Sequence, residues 1–285
     1  MEAQGVLLLP GFETKEPSNN GIYQIPLLEG ASAALYFQDD KYINYGYPFR
    51  IGESFFCSAQ NREKGYYALL RVNDGKIEEL IITRKRINFP VVSEDLQNIW
   101  YLQYEEDIDK KRWLCSLWKY DRIAGKEEKI FDDQINFSSG LLLFSDNSVI
   151  LGQNSVEIGG HSNIIKVLPD GKKQVLLTDA YCPSWYEKGK SILYRHGKGA
   201  KLFNLENGKI EDLGNDDYGW WEYPASISPD KKYLAVIEYA TFNSFGGERE
   251  SRLRVMSING KLKRDIPIFE RGEIKNWDIN IFWLK

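Results

Sequence analysis

Six stretches of this chain share one pattern: an apolar run, a tight turn carrying glycine, and a second apolar run. They are 23–35 around Gly30, 67–82 around Asp74-Gly75, 114–131 around Gly125, 164–177 around Asp170-Gly171, 202–213 around Asn207-Gly208 and 253–266 around Asn259-Gly260. Each is a hairpin signal, because glycine and asparagine accept the positive φ that a short turn between twisted strands demands. The turn glycines lie 45, 50, 46, 37 and 52 residues apart, a mean of 46, and the 285 residues hold about six such units. Self-similarity at that period is the mark of a blade-type repeat.

A second, less regular strand pair precedes several of the hairpins and raises each unit to four strands. The clearest is 225–236, where Pro229-Asp230-Lys231 turns the chain between two apolar runs. Weaker copies lie at Ser184-Trp185-Tyr186-Glu187-Lys188-Gly189-Lys190 before Ile192-Leu193-Tyr194, at 143–150 and at 92–100. The stretch Ser228-Pro229-Asp230-Lys231-Lys232-Tyr233-Leu234-Ala235 resembles the SPDGKxLA repeat of TolB-type propellers and of the propeller domains of prolyl-oligopeptidase relatives, with Lys231 where that family prefers glycine. The resemblance implies an all-β fold: a six-bladed β-propeller of four-stranded antiparallel blades around a central channel, closed by N- and C-terminal strands sharing one blade. The sequence agrees, since 6–25 has strands without a Ser-Pro-Asp-type start and 277–283 reads as an inner strand with no hairpin after it. Closure also removes the exposed edges that an open sheet of many short strands presents. No window of eleven or more residues keeps helical apolar spacing. One domain over 1–285 is the expected organisation.

Net charge is −4 with a pI near 5.5, so no global field attracts DNA or RNA, and nucleic acid is not an expected partner. No apolar run approaches the length of a membrane span, and Val6-Leu7-Leu8-Leu9 is too short for a signal-peptide core. A soluble, cytoplasmic protein is expected, or a periplasmic or secreted one where a signal peptide has been removed. Cys57, Cys115 and Cys182 show no metal-type spacing and sit among strand residues, which predicts buried thiols. His161 and His196, the two histidines, lack any compact ligand motif, so neither metal nor cofactor is expected.

In a propeller, the linkers between blades and the loops in mid-blade share one face, where function usually resides. The linker set supplies Tyr45, Tyr47, Arg50, Arg84, Lys85, Arg86, Asp132, Asp133, Phe137, Tyr181, Arg271, Lys275 and Trp277, and the mid-blade set supplies Arg62 and Lys64, 105–112, Glu157 and His161, Arg195 and His196, and 241–250. The sharpest local feature is Asp216-Asp217-Tyr218-Gly219-Trp220-Trp221-Glu222, since tryptophan, tyrosine and flanking carboxylates make protein-binding hot spots. One of the two tryptophans is expected to pack between blades and the other to face a partner. Arg84-Lys85-Arg86 offers the guanidinium pair that receives a carboxylate or phosphate.

Ser93-Glu94-Asp95-Leu96-Gln97-Asn98-Ile99-Trp100 is similar to the sialidase Asp-box, with Gln97 in the glycine position, and implies a structural turn rather than catalysis. No Gly-x-Ser-x-Gly elbow is present, so peptidase chemistry is not carried over from the propeller family. The sequence therefore predicts a non-enzymatic propeller that binds a protein through its loop face, an acidic surface suiting a basic partner. An immunity-type inhibitor of a basic nuclease and a TolB-like adaptor are two versions of it. The alternative is a small-molecule or glycan binder, or a hydrolase or lyase, using the channel mouth.

Overall fold

The computed structural model describes residues 5–13, 20–27, 33–107, 112–133, 137–154, 162–197, 199–213, 224–239, 251–258, 262–266, 274–275 and 281–284. All regular structure among them is β, and none of it is a helix long and apolar enough to cross a membrane. The strands form six antiparallel sheets laid out in chain order. Two compact units divide them, one of residues 1–48 with 185–285 and one of residues 49–184.

Sheet I contains β1 (Val6–Glu13), β2 (Asn20–Pro26) and β3 (Ala34–Phe37), and it is completed from the far end of the chain. There β24 (Ile274–Lys275) pairs with Phe12 and Glu13, and β25 (Phe282–Leu284) pairs with Val6 to Leu8. These two pieces occupy the place of one inner strand, as the sequence predicts for blade closure. Three residues of β1 separate Leu8 from Phe12, whereas six separate Phe282 from Lys275, so the C-terminal side carries three extra residues. Trp277 falls outside the described residues.

Sheet II is β4 (Tyr42–Ile51), β5 (Ser54–Asn61), β6 (Tyr67–Asn73) and β7 (Lys76–Thr83). Sheet III is β8 (Asn88–Val92), β9 (Asn98–Asp107), β10 (Arg112–Asp121) and β11 (Lys126–Asp133). Sheet IV is β12 (Phe137–Leu143), β13 (Val149–Asn154), β14 (Asn163–Val167) and β15 (Lys173–Thr178). Sheet V is β16 (Tyr181–Glu187), β17 (Ser191–His196), β18 (Gly199–Asn204) and β19 (Ile210–Asp212), and sheet VI is β20 (Ser226–Ile227), β21 (Tyr233–Tyr239), β22 (Ser251–Ser257) and β23 (Leu262–Ile266). All six expected strand pairs are present, as the third and fourth strands of their sheets, while the turns at Gly30 and Asn259-Gly260 fall outside the described residues.

Burial explains why the second strands read as unbroken apolar runs. Leu7–Leu9, Phe56–Cys57, Ile99–Leu102, Val149–Leu151 and Leu234–Val236 are all within 1% of complete burial, which requires cover on both faces of the sheet. Sheets I and VI supply that cover to each other through Leu7, Leu9, Tyr23, Ile25 and Trp283 against Tyr233, Ala235, Ile237, Leu253 and Val255. In the other unit, Phe56, Leu69, Leu80 and Ile81 of sheet II meet Ile87, Val92, Ile99 and Tyr101 at sheet III. The outermost strands carry the exposed apolar residues Leu35, Ile82, Val175 and Ile210. Cys57, Cys115 and Cys182 are free and buried, as their strand context predicts.

The inner strands share a device that the hairpin pattern does not reveal. Tyr47, Phe89 and Cys182 have φ of 51°, 48° and 53°, and each precedes a proline; Gly140, with φ 70°, holds the matching place in β12. The register slips by one residue between Asn88 and Val91 and between Ser139 and Leu141, so the left-handed residue marks a bulge that bends the inner strand. This corrects the placement of Tyr45 and Tyr47 in a linker, because β4 begins at Tyr42 and runs on through Tyr47 to Ile51. Asp132 and Asp133 are likewise not linker residues: their backbones extend β11 to pair with Ser116 and Cys115.

Candidate functional site

Asp216, Asp217, Tyr218, Trp220, Trp221 and Glu222 lie outside the described residues, between β19 and β20. Of the other candidates, Tyr45 is 3% exposed and Tyr47 9%. The Tyr45 ring stands edge-on to Phe37 with centroids 5.8 Å apart. Its hydroxyl accepts the Asp39 N–H at 2.8 Å and donates to the Asp39 carbonyl at 3.0 Å, which pins the turn entering β4. A phenol committed twice to backbone is a structural group. Arg84 is exposed and Arg86 half-buried.

The arginines belong to a rim at one end of sheet II. Tyr67 pairs with Thr83, so the loop entering β6 and the linker leaving β7 emerge from neighbouring strand ends. The loop is built on Asn61, which is 3% exposed. Its backbone N–H donates to the Tyr66 carbonyl at 2.7 Å, and its own carbonyl accepts from Gly65 N–H at 2.9 Å. Its side-chain oxygen accepts from the N–H groups of Glu63 and Lys64 at 3.1 and 2.8 Å, and its amide donates to Tyr66 Oη at 3.2 Å. Tyr66 in turn donates to Glu79 at 2.6 Å, and this carboxylate contact raises its hydroxyl pKa. Arg62, Glu63 and Lys64 therefore stand exposed on a loop that Asn61 ties together through four hydrogen bonds to its backbone.

The linker is held just as closely. Thr83 Oγ1 accepts from Lys85 N–H at 3.2 Å and from the buried Gln103 side chain at 3.1 Å, joining sheet II to sheet III. Lys85 Nζ lies 2.8 Å from Glu105, and Asn88 donates to the carbonyls of Arg86 and Leu102 at 3.2 and 3.4 Å. The rim thus carries Arg62, Lys64, Arg84, Lys85 and Arg86 together with the carboxylates Glu63, Glu79 and Glu105. The sequence names these cations, but their assembly depends on Asn61, Thr83 and Gln103, which carry no charge or motif to single them out.

The turns at the other ends of the sheets are structural. Ser228 accepts from Tyr233 N–H at 2.9 Å and donates to Asp230 at 2.7 Å, while Asp230 accepts from Lys232 N–H. Ser93 and Asp95 repeat the arrangement with Asn98 and Gln97. The serine hydroxyl is the leading cause that holds Asp95 and Asp230 below the ordinary carboxylate range, as the Ser148 hydroxyl does for Asp146. The left-handed place that glycine favours is filled by Leu96, Asn147 and Lys231, with φ of 60°, 60° and 58°. Lys231 is recruited there: its Nζ sits 3.5 Å from Glu187 in sheet V and 5.4 Å from the Tyr186 ring centroid. Lys190, hydrogen-bonded at 2.9 Å, is the first cause and Lys231 a further one that lowers the Glu187 pKa. No group of three or more potential metal ligands occurs among the described residues.

No family model and no curated protein matches the sequence. The backbone is similar to TolB from Acinetobacter baumannii, with TM-score 0.68 and 12% identity over 98% of this chain. That match covers 66% of TolB, so the chain spans a little under two thirds of that protein. A chain of the nidogen/laminin complex matches with TM-score 0.62 and 12% identity over 98% of both chains. Oligogalacturonate lyase in complex with manganese matches with TM-score 0.56 and 13% identity over 86% of this chain and 70% of the lyase. At these identities the likeness shows the fold, which is a TolB-like, six-bladed β-propeller of four-stranded antiparallel blades.

Proposed function

We propose that this chain is a non-enzymatic, protein-binding propeller whose contact centres on Asp216, Asp217, Tyr218, Trp220, Trp221 and Glu222. The observation that carries the reading is the position of that segment. Thirteen residues separate β19 from β20, against four between β7 and β8 and two between β15 and β16. An inter-strand segment longer than its counterparts, dense in tryptophan and carboxylate, is where a rigid scaffold displays a contact surface. The nidogen/laminin likeness supports it, since that propeller-like chain was solved in a complex of two proteins. The acidic segment suits a basic partner, as in an immunity-type inhibitor or a TolB-like adaptor. The lyase likeness favours the second reading, a small-molecule or glycan ligand or lyase chemistry.

The test is affinity capture from source-cell lysate with wild type beside a Trp220→Ala, Trp221→Ala variant, both checked by circular dichroism. A stoichiometric protein retained by wild type and lost by the folded variant is the expected result. Equal capture by both proteins overturns the assignment to this segment, and no capture by either turns the search to the small-molecule reading.

A further inference from the structure

Asparagine followed by glycine is chemically labile, because the next backbone nitrogen can fold onto the side-chain amide and glycine has no Cβ to obstruct it. The described residues hold two such pairs, Asn20-Gly21 and Asn207-Gly208, and the fold treats them oppositely. Asn20 opens β2 opposite Phe12, and its Oδ1 accepts the Tyr45 N–H at 3.3 Å. Gly21 is buried, and a Cβ there would lie 2.7 Å from Leu35 Cδ1 and 2.8 Å from the Phe37 carbonyl oxygen, so the chain has no room to refold at that point. Asn207 and Gly208 stand exposed in the turn between β18 and β19, where Gly208 has φ 71° and a Cβ on it would meet no atom within 4 Å. Asn204 holds this turn: its Oδ1 accepts the Asn207 N–H at 3.1 Å and its carbonyl accepts the Gly208 N–H at 2.9 Å. Lys209 N–H donates to Asn207 Oδ1 at 2.9 Å. The strand behind the turn is short. All three residues of β19 are exposed and pair with β18 at three positions, whereas the outer strands β7, β11 and β15 have six to eight residues. A hairpin with so few pairs opens locally without unfolding the rest.

We propose that Asn207 is a site of slow self-modification, in which its amide is exchanged with water to give aspartate and isoaspartate with release of ammonia, and that the isoaspartate form frees β19. When the turn opens, the Gly208 N–H leaves the Asn204 carbonyl. The nitrogen gives its proton to hydroxide and its lone pair attacks Asn207 Cγ, forming a new C–N bond. Negative charge develops on Oδ1, where the Lys209 N–H already donates. The Asn207 Nδ2 takes a proton from water, which restores the hydroxide, and departs as ammonia, leaving a cyclic imide. Water then adds to one imide carbonyl: breaking the bond from Gly208 N to Cγ gives aspartate, and breaking its bond to the main-chain carbonyl gives isoaspartate, whose backbone runs through Cβ. Asp170-Gly171-Lys172 repeats the turn, with the Lys172 N–H 3.1 Å from Asp170 Oδ1. There the side chain of Lys172, 2.7 Å away, is the first cause that holds the carboxyl below its ordinary range, and an ionised carboxylate resists a nucleophile. The added backbone atom of isoaspartate at 207 separates the donors of Asn207 and Lys209 from their acceptors in the turn. The loss passes along β19 to Leu213, whose N–H donates to the Ala200 carbonyl at 3.1 Å just before residues 214–223. Each conversion also takes the chain from a net charge of −4 to −5.

The test ages the full, folded chain at mildly alkaline pH and follows each asparagine by peptide mass mapping, with electron-transfer fragmentation to tell isoaspartate from aspartate. Asn207 is expected to convert at least about tenfold faster than Asn20, although the two share one dipeptide. Equal rates at Asn20 and Asn207 overturn the assignment, as does an intact Asn207 amide in the chain when a synthetic peptide of residues 204–209 has fully converted. Asn259-Gly260, outside the described residues, falls in its own peptide and does not enter the comparison. Hydrogen exchange reads the second half of the proposal. Amides of residues 210–213 should exchange faster in aged wild type than in fresh wild type and in an equally aged Asn207→Gln chain, whose longer side chain forms the imide far more slowly. Unchanged exchange in aged wild type that carries isoaspartate at 207 overturns the release of β19, and the fresh chain supplies that comparison even where Asn207→Gln does not fold.

Discussion

Replacing Ser228 with alanine isolates what one hydroxyl does for a turn. Ser228 is 3% exposed, its oxygen accepts the buried Tyr233 N–H at 2.9 Å, and its proton goes to Asp230 at 2.7 Å. Alanine leaves that N–H without an acceptor in a place water reaches poorly, at a cost of roughly 1–3 kcal/mol, and the lost bond to a carboxylate adds to it. A total of about 2–3 kcal/mol lowers Tm by roughly 3–5 °C in a chain of this size. Ser93 makes the same pair of bonds in sheet III but is half-buried, so water replaces the hydroxyl and Ser93→Ala costs about 0.5–1 kcal/mol. Differential scanning calorimetry of both variants measures the ratio. Acid titration adds a second reading, because Asp230 is depressed below its unfolded value chiefly by Ser228. Its contribution is present above the unfolded carboxylate pKa, about 3.9, and is lost as pH falls through the lower folded value. Ser228→Ala therefore flattens the acid limb of the stability curve. Equal Tm losses at Ser228 and Ser93, or an unchanged acid limb, refute the reasoning from burial and hydroxyl donation.

Gly5→Ala should be destabilising by about 1–3 kcal/mol, since a Cβ there collides with the Trp283 ring at Nε1 and the φ of 151° disfavours side chains; faster proteolysis at the β1–β25 junction reports it. Glu78→Gln should cost about 0.5–1 kcal/mol in urea titrations, because Glu78 lies 2.7 Å from Arg122 and 3.4 Å from Arg71. Glu53→Gln, whose partner Arg50 is 3.7 Å away and whose side chain is 98% exposed, should change nothing measurable. Cys57 is fully buried and its thiol pKa is pushed up by burial, so iodoacetamide at pH 8 should label it only under unfolding conditions, as peptide mass mapping will show.

The outer hairpins could be read from the sequence because their turns use glycine, as at Asp74-Gly75 and Asp170-Gly171, between apolar runs with buried centres. The strand pairs upstream are harder, since their turns place Leu96, Asn147 and Lys231 in the left-handed conformation through serine and aspartate hydrogen bonds. Lys231 shows why such a residue is kept: its reach to Glu187 and Tyr186 offsets the strain that glycine avoids. Strand β4 is hard to read from the sequence because a proline follows Tyr47, although proline steps at Phe89-Pro90, Cys182-Pro183 and Tyr223-Pro224 recur after 42, 93 and 41 residues. The charges of the rim were visible, but not its rigidity, which rests on neutral groups joined across strands. Tyr45 misled in the opposite sense: an aromatic near a linker signals a contact, yet its hydroxyl closes a turn in its own unit.

The pairing of Val6–Leu8 with Phe282–Leu284 sets a timetable for synthesis. The partners are 274 to 278 residues apart in the chain, a delay of roughly 15–55 s at ribosomal speed. Throughout it, β1 offers one unmatched edge beside the buried apolar residues Leu7, Leu8 and Leu9, an invitation to another nascent chain. A polysome holds many copies in that state at once, so the yield of this protein in a cell depends on how well that edge is shielded until residues 282–284 emerge.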